Sequence, residues 1–529
     1  MNYAALDYAA LFRATLPETV LEIAALLVLV FDLGFLRKTT AQTRIVVAAL
    51  LGVAGCLAAL WAIGNAVPFS SGNTMLLTAW GSAGVAQVAI LVLTALTLLL
   101  LIDSNFTRNA GEYVAVVLMA AAGGLIISAA QDLLVIFIGL ELLSLGLYIL
   151  TAFAKHSGKS AEAAMKYYLF GGMSAAFLLF GFSYFYGLTG TTSLSGIQAA
   201  IFQSGPTPLF YVAWILVIAG LGFKIAAVPF HFWAPDTYEG APAPAAAFIA
   251  SVSKVASFAL LLTFFGGTFF TIPGRSQTAS EIDRLFTQYT GSSTHVIEVV
   301  LVVAAASMIV GNLAALAQTS VRRLLAYSAI AHAGYILLGV CPLPHSNPLP
   351  FSQQQASGMA AVVQALITHQ SPVLYYIITY GLTTIGAFGV VGVVERTTGS
   401  DKMDAFLGLH KRNPLLAAVT LVLFLSLAGI PPMVGFWAKF NLFAAVLAVG
   451  TGPIPFVLVA LAIAFSAVSL YYYLQVLKRA YVMPGPDETP IRAHPVTLAV
   501  LLAIAAAVLV FGCFPALLQG WIATFYPAM

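Results

Sequence analysis

Uninterrupted apolar runs of about 20 residues recur along the whole chain. A run of that length is what an α-helix needs to cross a hydrocarbon layer roughly 30 Å thick. They lie near residues 16–36, 44–64, 81–102, 113–130, 133–154, 166–188, 208–229, 244–270, 296–317, 324–342, 372–394, 414–447, 454–477 and 495–517. The expected fold is therefore an all-α polytopic membrane protein of about fourteen transmembrane helices. A spanning β-barrel is excluded, because its strands alternate apolar and polar residues over about ten positions. Composition agrees: of 529 residues 61% are hydrophobic and only 8% charged, against roughly 25% charged in a soluble domain.

Several function classes drop out at once. A net charge of +3 gives no argument for nucleic acid as a partner. Cys56, Cys341 and Cys513 lie far apart with no CxxC, so neither an iron–sulfur cluster nor a structural metal site is supported. No GxGxxG after a strand and no Walker motif occurs, which removes the usual nucleotide sites. The chain is expected to bind no cofactor of its own. The first apolar run lacks a preceding basic region, so no cleaved signal peptide is expected.

Lysines and arginines set the expected orientation. Loops after odd-numbered helices hold Arg37, Lys38, Arg44, Arg108, Lys155, Lys159, Arg322, Arg323, Arg396, Lys402, Lys411, Arg412, Lys478, Arg479 and Arg492, whereas the opposite loops and termini hold only Arg13, Arg275 and Arg284. By the positive-inside rule the odd loops face the cytoplasm and both termini lie outside. The longest polar interruptions, Pro273–His295 and Pro342–Pro372, read as surface loops.

Against this background one stretch, Ile218 to Lys254, breaks the pattern. Lys224 stands inside an apolar helix that is interrupted at Pro229, and Lys254 stands near the centre of the next one. A lysine at mid-membrane costs roughly 3 kcal/mol on insertion scales. A proline there also frees carbonyls that lipid cannot satisfy. Two such costs side by side suggest an ion path. The twelfth helix repeats the pattern with Pro431, Pro432 and Lys439. Broken helices in corresponding positions of two halves are the mark of an inverted repeat. The expected organisation is a three-helix segment over 1–110, two inverted five-helix repeats over 111–270 and 271–480, and a final helix over 481–529.

Each candidate residue has an ordinary alternative. Glu141, midway along the fifth helix, is either part of the path or a structural ion pair. For Lys224, Lys254 and Lys439, desolvation disfavours the charged form and brings proton exchange within reach near neutral pH; the alternative is snorkelling to an interface. Lys166 opens the sixth helix and serves either the path or an interfacial anchor. His231 and His332 are either proton relays or satisfied interior histidines. The pairs Asp236/Glu239 and Asp401/Asp404 sit beside helix ends and are expected to cap them. Glu22 and Asp32 have no obvious partner.

The stretch FKIAAVPFHFWAPDTYEGAPAPAAAFIASVSKVASF, together with LAGIPPMVGFWAKF and RRLLAYSAIAHAGY, resembles the antiporter-like membrane subunits of respiratory complex I, the proton-translocating NADH-quinone oxidoreductase. Within them the EGAP-P…SK pattern from Glu239 to Lys254 is similar to the subunit N (subunit 2) type, as is the missing long lateral helix at the C-terminus. The resemblance extends over about residues 110–480.

That resemblance implies roles which spacing alone does not give. Glu141 matches the helix-five glutamate that pairs with the broken-helix lysine, here Lys224. Lys254 continues a polar axis to Lys439, with Lys166, His231 and His332 as supporting relays. The implied function is proton translocation driven by electron transfer from NADH to quinone in other subunits, which hold the NADH, flavin, iron–sulfur clusters and quinone. Implied partners are sister antiporter-like subunits and small membrane subunits, within the cell inner membrane. A subunit of a multi-subunit cation/proton antiporter and a purely structural membrane subunit are the competing readings.

Overall fold

A computed structural model describes residues 8–66, 69–71, 74–78, 81–269, 279–341, 351–449, 453–485 and 489–526. The first part runs α1 (Tyr8–Ala14), α2 (Leu16–Gly34), α3 (Ala41–Ile63), a hairpin of β1 (Phe69–Ser71) and β2 (Thr74–Leu77), then α4 (Ser82–Leu101). The first half of the bundle follows as α5 (Ala110–Ala129), α6 (Leu133–Thr151), α7 (Gly158–Thr189), α8 (Leu194–Ser204), α9 (Pro208–Ile225), α10 (Trp233–Gly240) and α11 (Ala243–Phe269). The second half comprises α12 (Ala279–Leu316), α13 (Val321–Val340), α14 (Phe351–Thr398), α15 (Leu409–Arg412), α16 (Pro414–Ala428), α17 (Val434–Val449) and α18 (Pro453–Tyr481). The chain closes with α19 (Pro495–Cys513) and α20 (Pro515–Ala523).

Among the described residues 12 helices are long and apolar enough to cross a membrane, and the pair α1–α2, bent by 74°, raises that to 13. Two shorter apolar helices, α16 and α17, lie on either side of the break at Pro431 and Pro432. The expected helical bundle is therefore present, with both proline breaks where the sequence puts them. The hairpin is an addition that the apolar pattern does not signal.

Both surface loops require correction. Residues 279–295 continue α12 as helix, and residues 351–372 are the N-terminal part of α14, with Pro372 inside it. Polar composition marks the exit from the hydrocarbon and not the end of a helix, because a helix satisfies its own backbone in water as well as in lipid. Pro273, Arg275 and the final Met529 lie outside the described residues.

The core is centred on α11. Its apolar span Ala243–Phe265 is buried at every position except Ala243 and Thr263, packed against α4, α5, α13 and α14. Lys254 therefore sits in the interior of the protein and not toward lipid. By contrast α7 and α18 present mostly exposed apolar side chains, as the outer surface of a membrane bundle must.

Candidate functional site

The two helix breaks create the site, and each is closed by a lysine. At the first, α9 ends where Ala226 takes a left-handed conformation, φ 57°, which costs a non-glycine residue about 1–2 kcal/mol. The groups freed there find side-chain partners: Trp233 Nε1 donates to the Phe223 carbonyl at 2.9 Å, and the Val228 N–H donates to Ser307 Oγ at 2.9 Å. Lys254 Nζ donates to the Ile225 carbonyl at 3.0 Å and to the Ala329 carbonyl of α13 at 2.7 Å.

At the second break, Lys439 Nζ donates to the carbonyls of Leu427 and Ala428 at 3.3 and 3.2 Å, and to Ser466 Oγ at 2.8 Å. It also stands 5.5 Å from the centre of the Tyr335 ring, within cation–π range. The last turn of α16 lies so close to the first of α17 that a Cβ on Gly435 would come 1.9 Å from the Ser426 carbonyl oxygen. Only glycine allows the two half-helices to meet. An ammonium held by carbonyls inside a bundle is stabilised where charge is otherwise costly. Lys439 is 6% exposed and Lys254 3%, so neither snorkels.

Lys224, 8% exposed, occupies the last turn of α9. Its ammonium donates to Ser144 Oγ at 2.5 Å. Glu141 acts on it electrostatically, but among the described residues no ion pair within 4 Å joins them. The carboxylate is half-buried, three residues from Ser144 on the same face of α6.

His332 of α13 lies between Lys254 and Lys439, near enough to interact electrostatically with both. Its Nδ1 is 2.8 Å from the Tyr376 hydroxyl and its Nε2 3.5 Å from that of Tyr473, which in turn bonds Ser328. A cavity of about 10 Å³, bordered by His332, Tyr376, Thr383, Ser426, Leu427 and Ala438, leads toward the second break; that is room for roughly one water molecule. Lys224, Lys254, His332 and Lys439 thus follow one another along a buried polar line.

Two of the expected residues stand off that line. His231 lies in the turn between α9 and α10, packed on Phe232 with ring centres 4.4 Å apart, and its Nδ1 has no hydrogen-bond partner among the described residues. Lys166, 38% exposed, is clamped by Glu162 and Asp236, both at 2.7 Å. Asp236 also binds Arg323 at 2.7 Å; Glu239 binds Arg323 at 3.0 Å and Lys159 at 3.4 Å. Asp236 stands in the first turn of α10, as expected, but no side-chain hydrogen bond caps that helix, and both Asp236 and Glu239 are ion-pair partners. Asp401 likewise accepts from Ser320, and Asp404 from Arg479 at 3.1 Å. This narrows the capping expectation: Asp236, Glu239 and Asp404 take long-range cations as partners, which offer a carboxylate more than a first-turn dipole does, and Asp401 takes a serine hydroxyl.

The same end of the bundle holds a cavity of about 320 Å³ lined by Asp103, Lys159, Glu239, Arg322, Glu395 and Arg396 among others. Arg322 is bound there by Glu395 and by the carbonyls of Glu239 and Ala241. Asp103 pairs with Arg396 at 2.5 Å. Burial nonetheless holds its carboxyl above the ordinary carboxylate range, against the pull of the His494 N–H and Arg396.

Sequence reasoning also passed over partners. Asp32 is bound by Arg44 through two hydrogen bonds, at 2.7 and 2.5 Å, while Glu22 is exposed. Glu18 is buried against Gln87. Ser144, Ser466, Tyr376 and Tyr473 carried no charge to flag them. Among the described residues no group of three or more His, Cys, Asp or Glu converges as a metal site.

The family model described as NADH:quinone oxidoreductase/Mrp antiporter, TM, matches residues 130–273, 280–343 and 355–466. The chain is 45% identical over 526 residues to NADH-quinone oxidoreductase subunit N 2 of Acidobacterium capsulatum, covering 98% of this chain and 99% of that one. Its fold is similar to a chain of respiratory complex I from Thermus thermophilus with bound aureothin, with TM-score 0.72 and 31% identity over 95% of this chain and 98% of that one. It is similar also to a chain of the Mrp complex from a Dietzia species, with TM-score 0.71 over 97% of each chain, but at 20% identity, a likeness of fold alone. With two lysine-closed helix breaks on one buried line and near full-length identity of this order, the chain belongs to the NADH-quinone oxidoreductase subunit N family of antiporter-like membrane subunits.

Proposed function

We propose that this chain is the proton-translocating membrane subunit of an NADH-quinone oxidoreductase, converting energy released by electron transfer in other subunits into proton movement along Glu141, Lys224, Lys254, His332 and Lys439. The observation that carries this reading is the pair of buried lysines held by the carbonyls of two broken helices. A structural cation in such a place needs only to stay charged. Lysine, unlike arginine, can also give its proton up when desolvated. Lys166 and His231 would serve at the margins of the path. The NADH, flavin, iron–sulfur clusters and quinone would be held by the other subunits. The antiporter reading shares the family model, whose description names both, but its structural neighbour is only 20% identical, and it is the weaker one.

The half-buried Glu141 supports partners within the membrane, since a carboxylate at that depth needs cover from lipid; sister antiporter-like subunits and small membrane subunits are the partners proposed. The membrane is the cell inner membrane, with the clustered cations around Lys159, Arg322 and Arg396 on its cytoplasmic side. Reporters fused at Asp487 and at Met529 are accordingly expected to read inside and outside, respectively. Finding both on one side would overturn this orientation.

The test of function is NADH-driven proton uptake by the whole complex in proteoliposomes. Lys439→Met should lower it more than about tenfold, the rate equivalent of roughly 1.4 kcal/mol, while the assembled complex is still isolated. Wild-type pumping in that variant would remove Lys439 from the path.

A further inference from the structure

We infer that Ser144 is a positioning residue of the switch: its hydroxyl is the second seat of the Lys224 ammonium, holding the lysine away from Glu141. The inference rests on the reading of Glu141 and Lys224 as a working pair. Ser144 and Glu141 are three residues apart on α6, and residues so spaced on a helix lie about 5–6 Å apart on one face. A carboxylate and a hydroxyl thus stand one turn apart, facing the end of one flexible side chain. The ammonium occupies the hydroxyl, at 2.5 Å, and not the carboxylate.

The hydrogen-bond directions are fixed by chemistry. An ammonium has donors only, so Ser144 Oγ must accept from Lys224. The serine proton is already given to the Leu140 carbonyl one turn back, which leaves the oxygen lone pairs free for that purpose. A hydrogen bond to a charged donor is worth more than a neutral one, so Ser144 offers Lys224 a stable position without neutralising it. The phenol of Tyr148 stands one turn further along α6. Its oxygen fits only because position 171 is glycine, where a Cβ would come 1.9 Å from it. The seat is thereby braced by α7, the helix packed on α9.

Two seats of different charge make a two-state element. On Glu141 the lysine proton is held by an opposite charge; on Ser144 it is held by a neutral dipole and is easier to pass on. Without the hydroxyl the second state loses the one side-chain acceptor that Lys224 has among the described residues, and the lysine stays with the carboxylate.

The experiment compares Ser144→Ala, Ser144→Thr and Ser144→Cys with Glu141→Gln in the whole complex, by NADH-driven proton uptake in proteoliposomes. The Ala variant should fall about tenfold, as expected for loss of one hydrogen bond to a charged group. The Thr variant, which keeps a hydroxyl, should retain at least about half of the wild-type rate. If the Ala complex fails to assemble, the nearly isosteric Cys variant, with its weak acceptor, should show the same direction of loss. Ala or Cys pumping at the wild-type rate overturns the inference, and so does equal loss in Thr and Ala, which would mark a packing role. Impaired Glu141→Gln beside unimpaired Ser144→Ala removes Ser144 alone. Unimpaired Glu141→Gln removes the pair on which the inference stands.

Discussion

Replacing Glu141 by Gln or Lys224 by Met is expected to abolish most NADH-driven proton pumping, and replacing both is expected to do little further harm. Lys224 is buried in the last turn of a broken helix, within the field of the Glu141 carboxylate. Each charge is costly at that depth, and removing one leaves the other without its counter-charge. An opposite charge brought to about 4–6 Å changes proton affinity by 1–3 pKa units. Movement of the ammonium between its seat on Ser144 and the carboxylate would therefore reverse proton occupancy at constant pH. Residues that act as one switch give strongly non-additive losses, which a double-mutant cycle on pumping reads directly. With assembly verified for every variant, each single change should cost well over tenfold, and the double should resemble the worse single. Single variants with substantial pumping whose losses multiply in the double would make Glu141 an independent charge.

The bundle was legible because the cost of leaving an apolar run in water is paid residue by residue, and every span carries it. The lysines were legible for the converse reason: Lys224, Lys254 and Lys439 interrupt runs in which they are expensive. Ser144 was not, since a serine in a membrane helix can bond its own backbone and signals nothing; its place three residues after Glu141 was the only clue. The ion pairs Lys166–Asp236 and Arg323–Asp236 join residues about 70 and 87 positions apart, beyond any local pattern, so a cap was the nearer reading. Asp32 and Arg44 were within reach: they flank one short connection between antiparallel helices at similar depths, and such neighbours pack together. The helical continuations of α12 and α14 were missed because polarity was read as loop.

The final expectation separates a proton carrier from a structural cation at Lys254. Its Nζ donates to the carbonyls of Ile225 and Ala329, in a helix buried on all sides around it. Lys254→Met removes both donors, and an unpaired buried acceptor costs about 1–3 kcal/mol. The assembled complex should therefore lose thermal stability as well as pumping. Lys254→Arg restores donors at the same place, in a group that stays protonated at any working pH. If Lys254 passes protons, the Arg variant should recover much of the stability lost by Met while pumping stays more than about tenfold below wild type. If Lys254 only ties α11 to the end of α9 and to α13, Arg should restore both together. Proton uptake by reconstituted complex and a thermal melt of the same preparations decide between the two. The reading of Lys254 as a carrier fails if the arginine complex pumps at the wild-type rate, because a guanidinium keeps its protons at any working pH.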